Sequence, residues 1–172
     1  MPPWGVMNWS YEVGLAEVSH REQVRLLAYS PLGFGMLSGK YLNNQRPETA
    51  RLTLFKQFSR YTNPQPYAAT GQYLAIAKQH DLDPCQMALT FVRQQPFVTS
   101  TIIGATPMEQ LRTNLDSADV KLTRDIMKEL ETVHVQPPSP CAPAPPEHRP
   151  QGRCGRARYS RLCISSRRLR VR

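Results

Sequence analysis

A glycine-rich turn carries the residue types that hold phosphate groups. The segment LLAYSPLGFGMLSGKY covers residues 26–41 and sets Gly33, Gly35 and Gly39 ahead of Lys40. Glycines let a backbone turn tightly and approach a ligand closely, and a lysine adds positive charge. The spacing GxGxxxG differs from both the dinucleotide fingerprint and the P-loop. Two interpretations therefore stay open: a phosphate loop of another type, or a turn whose glycines serve only the backbone.

A second segment offers a comparable loop about seventy residues later. The β-branched run FVTSTIIG predicts a buried strand that ends at Gly104. Thr106 and Glu109 have the spacing of a capping box, and Pro107 suits the first helical position. Because exposed amides at a helix N-terminus attract anions, this loop is also compatible with phosphate.

The elements that must position these loops begin with a helix and a strand. A short helix is expected from Ser10, with Ser10 as its N-cap and with Val13, Leu15 and Val18 available for burial. The apolar run VRLLAYS, residues 24–30, suits a buried strand of a parallel sheet. The first glycine loop therefore follows the carboxyl end of a strand, as the second one does.

The remaining pattern predicts one long loop and four helices. Residues 42–65 are polar and aperiodic, and a loop of this length is usually functional or disordered. Helices are expected at about residues 67–80, after Asp83 and Pro84, after Thr106, and after Thr123. The residues expected to point inward on three of them are Leu74, Ile76, Ala77, Met87, Ala88, Phe91, Val92, Ile126, Met127, Leu130 and Val133.

The fold class that follows is α/β of the parallel type, with only two convincing strands. Two parallel strands cannot cover both of their faces, so the chain is expected to be an incomplete piece of a larger fold. We expect one domain, residues 1–135, followed by a disordered tail, residues 136–172, that is rich in proline and arginine.

Charge is concentrated in that tail. The chain has 172 residues and a formal net charge of +9, and residues 143–172 hold nine arginines against the single acid Glu147. The body of the chain is therefore nearly neutral. An arginine-rich segment can attract phosphate backbones, which leaves open a role in binding nucleic acid or acidic surfaces.

The cysteines and histidines predict no further site. Cys85, Cys141, Cys154 and Cys163 form no CxxC pair, so neither a zinc site nor a disulfide framework is expected. We expect His80, His134 and His148 to be surface residues. The amino end lacks a signal peptide, and no apolar run approaches a membrane span. The expected location is therefore the cytoplasm, without a membrane partner.

The two loops together resemble a known family. LLAYSPLGFGMLSGKY and STIIGATPMEQLRTNL are similar, in order and separation, to the last two barrel strands of the aldo-keto reductases, in particular the Tas-like branch near the potassium-channel beta subunits. The resemblance covers roughly residues 8–135. It implies the C-terminal portion of a (β/α)8 TIM barrel, incomplete here, and an NADPH-dependent oxidoreductase acting on small aldehydes and ketones.

The resemblance also implies roles for twelve residues. The residue matching the ring that stacks on the nicotinamide is Tyr29. Those matching the loop along the pyrophosphate are Ser30, Pro31, Leu32, Gly33 and Gly35. The match to a phosphate contact is Lys40, with Arg51 a looser candidate. Those matching adenosine-phosphate and adenine contacts are Gly104, Thr106, Gln110 and Asn114. Gln110 and Asn114 lie four apart, on one helix face.

The chemistry of the family is not expected in this chain. The resemblance implies that carbonyl reduction uses a tyrosine, a lysine, an aspartate and a histidine from the first half of the barrel, which has no counterpart here. Tyr41 beside Lys40, or Tyr29 near His20, are the available substitutes. We expect neither pair to rebuild the set, because proton transfer demands accurate geometry. No catalytic residue is therefore predicted.

Three functional hypotheses follow. The first is a reductase fragment that keeps its NADPH-binding loops and lacks turnover. The alternative is a non-catalytic module whose arginine-rich tail binds nucleic acid or acidic surfaces. The third is a translated pseudogene without a role, in which the tail is an out-of-frame or read-through extension and the native end lay near Cys141. The sequence does not fix the substrate.

Overall fold

The computed structural model describes residues 5–55, 61 and 64–135. Their regular elements, in chain order, are α1 (Leu15–Arg21), β1 (Leu26–Tyr29), α2 (Arg51–Leu54), α3 (Pro64–Gln79), α4 (Pro84–Arg93), β2 (Val98–Ile102), α5 (Met108–Asp116) and α6 (Arg124–Val135). Two 3₁₀ segments, Gly33–Ser38 and Leu42–Asn44, follow β1. The predicted tail, with Cys141, Cys154, Cys163 and His148, lies outside the described residues.

The described strands form one parallel pair. Leu26 lies opposite Val98, and Tyr29 lies opposite Ile102, with an irregularity directly after Leu26. The connection between the strands contains helices, as a parallel crossover requires. The prediction of an α/β chain with two parallel strands is confirmed.

One face of this sheet is exposed, which contradicts the expectation of strands buried on both faces. Leu26 and Ala28 are buried, whereas Leu27 retains 38% of its accessible surface and Ile102 retains 45%. Side chains alternate between the two faces of a strand, so Leu27 and Tyr29 share the exposed face of β1. Among the described elements, α4 packs against β2. A parallel sheet is buried on both faces only when elements cover both, and here the second layer is absent from the described residues.

The helix expected from Ser10 begins later than predicted. The backbone from Trp9 to Ala16 is bonded in single turns, and the Ser10 amide donates to Asn8 Oδ1 at 3.0 Å. The N-cap of α1 is Gly14, which offers no side chain for capping. The helix α1 therefore starts at Leu15, and its residue Ala16 packs against the core.

The apolar residues predicted to be buried there remain at the surface. Val13, Leu15 and Val18 all expose half or more of their surface, so the prediction of their burial is wrong. The residue of α1 that is buried is Ser19, whose hydroxyl bonds with that of Tyr11.

The helix α4 confirms its prediction. Asp83 Oδ1 accepts from the amides of Cys85 at 2.8 Å and Gln86 at 2.9 Å, and Pro84 occupies the first helical position. These contacts satisfy amides that a helix N-terminus leaves free. The buried residues of α4 are Met87, Ala88, Leu89, Thr90, Phe91 and Val92.

The helices α3 and α6 close the core. Both occur near their predicted positions, and Ile126, Leu130 and Val133 of α6 are buried, with Met127 half-buried. On α3, Ala77 is buried, while Leu74 and Ile76 are only half-buried. The fully buried Tyr73 has the stronger inward position, and its hydroxyl donates to the Val6 carbonyl at 2.7 Å.

The loop before α6 is fastened to the end of α4. The side chain of Gln94 bonds to both backbone groups of Leu122, at 2.8 and 3.1 Å. Arg93 donates to the carbonyls of Ser117 at 2.9 Å and Val120 at 2.7 Å. Thr90 also donates to the Ser117 carbonyl, at 3.1 Å. These bonds hold the segment between α5 and α6 against α4, the helix that packs on β2.

The segment predicted as one irregular loop, residues 42–65, contains regular structure. The second 3₁₀ segment and α2 lie within it, and α3 begins at Pro64, three residues before its predicted start. Residues 56–60, 62 and 63 lie outside the described part.

Among the described helices, none has the length and apolar character needed to cross a membrane.

Candidate functional site

The two glycine-bearing loops leave the sheet at the same edge. The last residue of β1, Tyr29, is paired with the last residue of β2, Ile102. Because the strands are parallel, both carboxyl ends point the same way. The loops that begin at Ser30 and Ile103 therefore start side by side, although they are about seventy residues apart in the sequence. This edge is the candidate site.

The first loop is built from tight turns with unusual backbone angles. Gly33 N donates to Ser30 O at 3.0 Å, and Gly35 N donates to Leu32 O at 3.0 Å. Ser30 and Phe34 both have a φ of 56°, in the left-handed region that residues with a side chain seldom adopt. Such conformations persist where the surroundings enforce them, often at ligand sites.

Two glycines of this loop have close neighbours where a side chain would begin. A β-carbon on Gly33 would lie 3.0 Å from Met7 Sδ and 3.4 Å from Tyr61 Cε1, and one on Gly39 would lie 2.9 Å from Leu74 Cδ1. Both glycines also have a positive φ. Backbone conformation and close neighbours therefore favour glycine at these two positions, and the cofactor contact expected of Gly33 stays a prediction.

Gly35 differs, because its neighbour is Lys40. A β-carbon on Gly35 would lie 2.9 Å from both Cε and Nζ of Lys40. The ammonium group also lies 5.3 Å from the centroid of the Tyr41 ring. Within the described residues, no carboxylate forms an ion pair with Lys40. Its positive charge thus lies on the loop without a paired carboxylate among the described residues.

Arg51 approaches the same loop from α2. Its Cζ atom lies 5.6 Å from the centroid of the Phe34 ring, a cation–π arrangement. The backbone of the next residue is anchored too, because Leu52 N donates to Tyr41 Oη at 3.1 Å. Tyr41 is buried, whereas Arg51 is exposed. The glycine loop therefore has cations from two different segments.

Sequence reasoning did not identify Phe34 and Tyr41 as parts of this arrangement. Phe34 contacts Tyr61 edge-on, with ring centroids 5.1 Å apart. The sequence signal for Phe34 was a large aromatic residue between Gly33 and Gly35. Its φ of 56° in the structure is unusual for such a residue. The position of Tyr41 beside Lys40 suggested a substitute catalytic acid, not a residue that fixes α2.

The charge of Lys40 reaches the N-terminus of α4. Burial, and then the carboxylate of Asp83, raise the pKa of the Cys85 thiol, while the Lys40 ammonium lowers it, and the net value is about 11. Cys85 is the free cysteine of the described residues. A thiol with a raised pKa carries little thiolate near neutral pH, so its reactivity as a nucleophile is low there.

The second loop does not form the predicted capping box. The helix α5 begins at Met108, its N-cap is Pro107, and no side chain caps it. A capping box with Glu109 at the third helical position would need Thr106 as the N-cap, so the register is off by one residue. Pro107 is extended, with a ψ of 147°, and stands outside the helix. Thr106 is exposed at the start of α5 and bonds to none of the amides there.

Gly104 is the open position of the second loop. A β-carbon there would meet no atom within 4 Å, and its φ is not positive. Neither packing nor backbone conformation among the described residues requires a glycine. Gly104 therefore has open space beside its backbone at the start of the second loop.

The helix α5 carries the last two candidate residues. Gln110 is exposed, whereas Asn114 is buried. The helix is fixed against α4 by Gln86, whose Nε2 donates to Thr113 O at 3.2 Å. Both glycine loops therefore lie next to α4: the 3₁₀ segment of the first contacts that helix, and the second leads into α5, which Gln86 holds.

The other predicted residues have varied exposure. Tyr29 is half-buried on the sheet face that lacks a covering layer, together with Leu27. Pro31 is buried, and its backbone lies close to Gly5, where a β-carbon would be 3.1 Å from Pro31 O. Leu32 is half-buried. Of this group, Tyr29 is the side chain available to a flat ligand above the sheet.

Neither substitute catalytic pair is assembled. The hydroxyl of Tyr41 is buried and engaged with Leu52 N. His20 lines an open cavity of about 270 Å³ with Arg25 and Phe97, which precede β1 and β2. That cavity lies at the opposite edge of the sheet from Tyr29, the last residue of β1.

The expectation that the histidines lie at the surface fails for the two that the structure describes among them, His80 and His134. His80 Nε2 lies 3.0 Å from Glu129 Oε2 and joins α3 to α6, with the histidine only partly exposed. His134 is buried, and its ring stacks on Trp9 with centroids 4.0 Å apart. Burial lowers the pKa of His134. The place of His134 on the inner side of α6 explains the difference.

The described residues contain no cluster of three or more potential metal ligands.

Comparison with known proteins gives consistent matches. The model of the aldo/keto reductase family matches residues 3–134. The chain is 56% identical to Protein tas of Escherichia coli over 132 residues, which are 77% of this chain and 38% of that protein. It is 34% identical to an aldo-keto reductase of Babesia bovis over 130 residues, 72% of this chain and 46% of that protein. It is 30% identical to L-glyceraldehyde 3-phosphate reductase of Escherichia coli over 124 residues, 67% of this chain and 35% of that protein. The chain thus spans less than half the length of these relatives.

Proposed function

The chain belongs to the aldo/keto reductase family, and from that premise we propose that it carries the NADPH-binding loops of an oxidoreductase that reduces aldehydes and ketones. The family fold is a (β/α)8 barrel, and we assign β1 and β2 to its last two strands. In such barrels the phosphate site is frequently built by the loops after strands seven and eight. The predicted partners are the nicotinamide cofactor and a small carbonyl compound.

One observation carries this proposal: the paired ends of β1 and β2 start both glycine loops at one edge of the sheet. Three features of that edge fit an anionic dinucleotide. Lys40 has no acidic partner in the described part of the chain, Gly104 has open space beside its backbone, and Tyr29 stands on the uncovered sheet face. Phosphates are favoured by such a lysine and by exposed amides at a helix start.

The residues of this chain would bind and orient the cofactor. When bound, NADPH supplies the hydride for carbonyl reduction. Lys40 and Arg51 would neutralise phosphate charge beside the first loop. Gly104 would let the backbone before α5 approach the cofactor, and Gln110 is exposed on α5 to contact its adenosine half. Tyr29 would offer its ring to the nicotinamide.

The proton that carbonyl reduction needs has no evident donor in the described residues. Tyr41 is the tyrosine next to a lysine, and its side chain is buried, with the hydroxyl directed at Leu52 N. General acid catalysis requires the donor within hydrogen-bonding reach of the substrate oxygen. We therefore propose that this chain binds the cofactor without turnover.

The test is to titrate the purified chain with NADPH, following nicotinamide fluorescence, and then to add an aromatic aldehyde. We expect saturable binding that Lys40→Met weakens by about tenfold, since a charge-assisted contact is lost. The matched control Lys128→Met, on the exposed side of α6, should bind as the parent does. A folded chain that binds no NADPH would refute the proposal. Consumption of NADPH that Tyr41→Phe abolishes would refute only the lack of turnover.

The alternative function concerns residues 143–172. Their nine arginines against one acid favour binding to nucleic acid or another acidic surface. The full chain and a chain ending at residue 142 should be compared for binding to a mixed-sequence DNA duplex at two salt concentrations. Salt-dependent binding lost with the segment would support this function, and equal binding by both chains would contradict it. The pseudogene hypothesis stays a prediction, tested by the same two binding measurements.

A further inference from the structure

Tyr41 has a role distinct from the acid that its position beside Lys40 suggests. Its hydroxyl accepts a hydrogen bond from Leu52 N at 3.1 Å, and its ring is 2% exposed. The bond joins the end of the glycine loop to the first turn of α2. A buried, bonded hydroxyl fixes the position of its partner, because breaking the bond would leave a polar group unpaired.

Phe34 contacts the same turn through Arg51. The Cζ atom of Arg51 lies 5.6 Å from the centroid of its ring. The ring is itself fixed by edge-on contact with the buried Tyr61. A guanidinium over an aromatic face is attracted by the negative face of the ring. The side chain of Arg51 is thus directed back toward the loop, although it is exposed.

These contacts hold a short element that would otherwise be poorly fixed. The helix α2 has four residues and no side-chain cap. An isolated helix of one turn is not stable on its own, because ordering the first turn costs more free energy than its hydrogen bond contributes. Among the described residues, the contacts of α2 beyond its own turn include the bond from Leu52 N to Tyr41 Oη, the Phe34 ring under Arg51 and the packing of Leu52 against the core.

We propose that Tyr41 and Phe34 are positioning residues for Arg51, which hold its guanidinium beside the glycine loop so that Arg51 and Lys40 face one phosphate group together. This inference rests on the proposed function, since it concerns the same loop. Tyr41 acts through the backbone of Leu52, and Phe34 acts through the guanidinium. Neither residue needs to touch the phosphate.

The test combines single and double variants of the full chain. Tyr41→Phe removes only the hydroxyl, Phe34→Leu removes the aromatic face, and Arg51→Met removes the cation. We expect each single change to weaken NADPH binding by about threefold to tenfold, the range for one lost hydrogen bond or cation contact. In the Arg51→Met background, Tyr41→Phe should have no further effect, because the effects of coupled residues are not additive.

The matched control is Tyr73→Phe. Tyr73 is equally buried, and its hydroxyl donates to Val6 O at 2.7 Å and not to a group of α2. A general loss of stability would affect both tyrosine variants alike, whereas loss of positioning would affect only Tyr41→Phe. Additive effects of Tyr41→Phe and Arg51→Met, or equal weakening by Tyr73→Phe, would overturn the proposal.

A measurement without cofactor separates this inference from the proposed function. Hydrogen exchange of the amides in Arg51–Leu54 should become faster in Tyr41→Phe and stay unchanged in Tyr73→Phe. Unchanged exchange in Tyr41→Phe would overturn the positioning role. If the parent chain binds no NADPH but exchange responds as expected, the positioning role stands and the assignment of the cofactor fails.

Discussion

The side chain of Lys40 crosses the backbone of Gly35. A β-carbon on Gly35 would lie 2.9 Å from both Cε and Nζ of that lysine, closer than such contacts occur in proteins. Gly35 also has a φ of 87°, which favours glycine. The glycine and the cation are therefore coupled, because the one leaves the space that the other occupies.

Gly35→Ala should affect stability and binding together. A left-handed conformation costs an alanine about 1–2 kcal/mol, and the new methyl group displaces the end of Lys40. We expect a lower free energy of unfolding in urea and weaker NADPH binding in a fluorescence titration. In the Lys40→Met background the same change should lower stability without weakening binding further. Unchanged binding of Gly35→Ala in the presence of Lys40 would contradict the coupling.

Gly104→Ala should separate binding from stability. No atom lies within 4 Å of the added methyl group, and the backbone angle suits alanine. We expect an unchanged or slightly higher free energy of unfolding and weaker NADPH binding, since the methyl group fills the space proposed for the cofactor.

The control for this change is Gly71→Ala. Gly71 lies within α3, also without neighbours within 4 Å of a β-carbon. An alanine there should stabilise the chain by about 1 kcal/mol, the difference in helix propensity, and leave binding unchanged. If Gly104→Ala bound NADPH as tightly as Gly71→Ala, the open space at Gly104 would have no part in the site.

The features predicted correctly from the sequence have local causes. Asp83 and Pro84 carry the signal for the start of α4 within adjacent residues, and the structure confirms it. The parallel pairing was also predicted, from two apolar runs each followed by a loop with glycine. Errors arose where one residue decides the register, as at Thr106, which stands just outside the N-cap of α5.

Other properties depend on what packs against an element, which the local sequence does not contain. Ile102 sits in an apolar run, yet it is exposed because its face of the sheet lacks a covering layer in the described residues. His134 was expected at the surface, yet it is buried against Trp9. The contact of Arg51 with Phe34 likewise joins residues seventeen positions apart through a loop without periodic pattern.

The stability of the chain should fall in mildly acidic solution because of His134. Burial lowers its pKa in the folded state below the ordinary value of 6.5. The unfolded chain therefore binds a proton that the folded chain resists, so stability is complete above about pH 6.5 and declines as the pH falls below it. Urea unfolding at a series of pH values from about 5 to about 8 measures this decline in stability.

Two variants assign that pH dependence. His134→Phe keeps a flat ring against Trp9 and cannot gain a proton, so the decline should be reduced. His80→Gln, which alters the contact with Glu129, should retain it. An equal decline in the parent and in His134→Phe would show that another group is responsible.

Cys85 should react slowly with thiol reagents. Its pKa of about 11 leaves far less thiolate near pH 8 than the ordinary value of 9.0 does. The higher nucleophilicity of a more basic thiolate offsets part of this, which leaves a rate roughly tenfold below that of an unperturbed thiol. The measurement uses Ellman's reagent on a chain in which Cys141, Cys154 and Cys163 are serine, with the urea-unfolded chain as reference.

Lys40→Met should slow that reaction further. The Lys40 ammonium lowers the pKa of Cys85, so its removal leaves burial and Asp83 unopposed. Lys128→Met is the matched control and should react as the parent does. A rate unaffected by Lys40→Met would mean that the ammonium does not reach the N-terminus of α4.

The uncovered face of the sheet should cause self-association. Within the described residues β1 and β2 pair only with each other, and Leu27 and Ile102 are exposed on one face. Unpaired edges and exposed apolar strands favour contact between chains. We expect oligomers in sedimentation velocity and a broad urea transition. Leu27→Lys should shift the distribution toward monomer, whereas Val13→Lys, at a residue 90% exposed before α1, should not. A parent chain that is monomeric and unfolds in a sharp two-state transition would contradict this expectation, because the exposed face would then be stable in water without a covering layer.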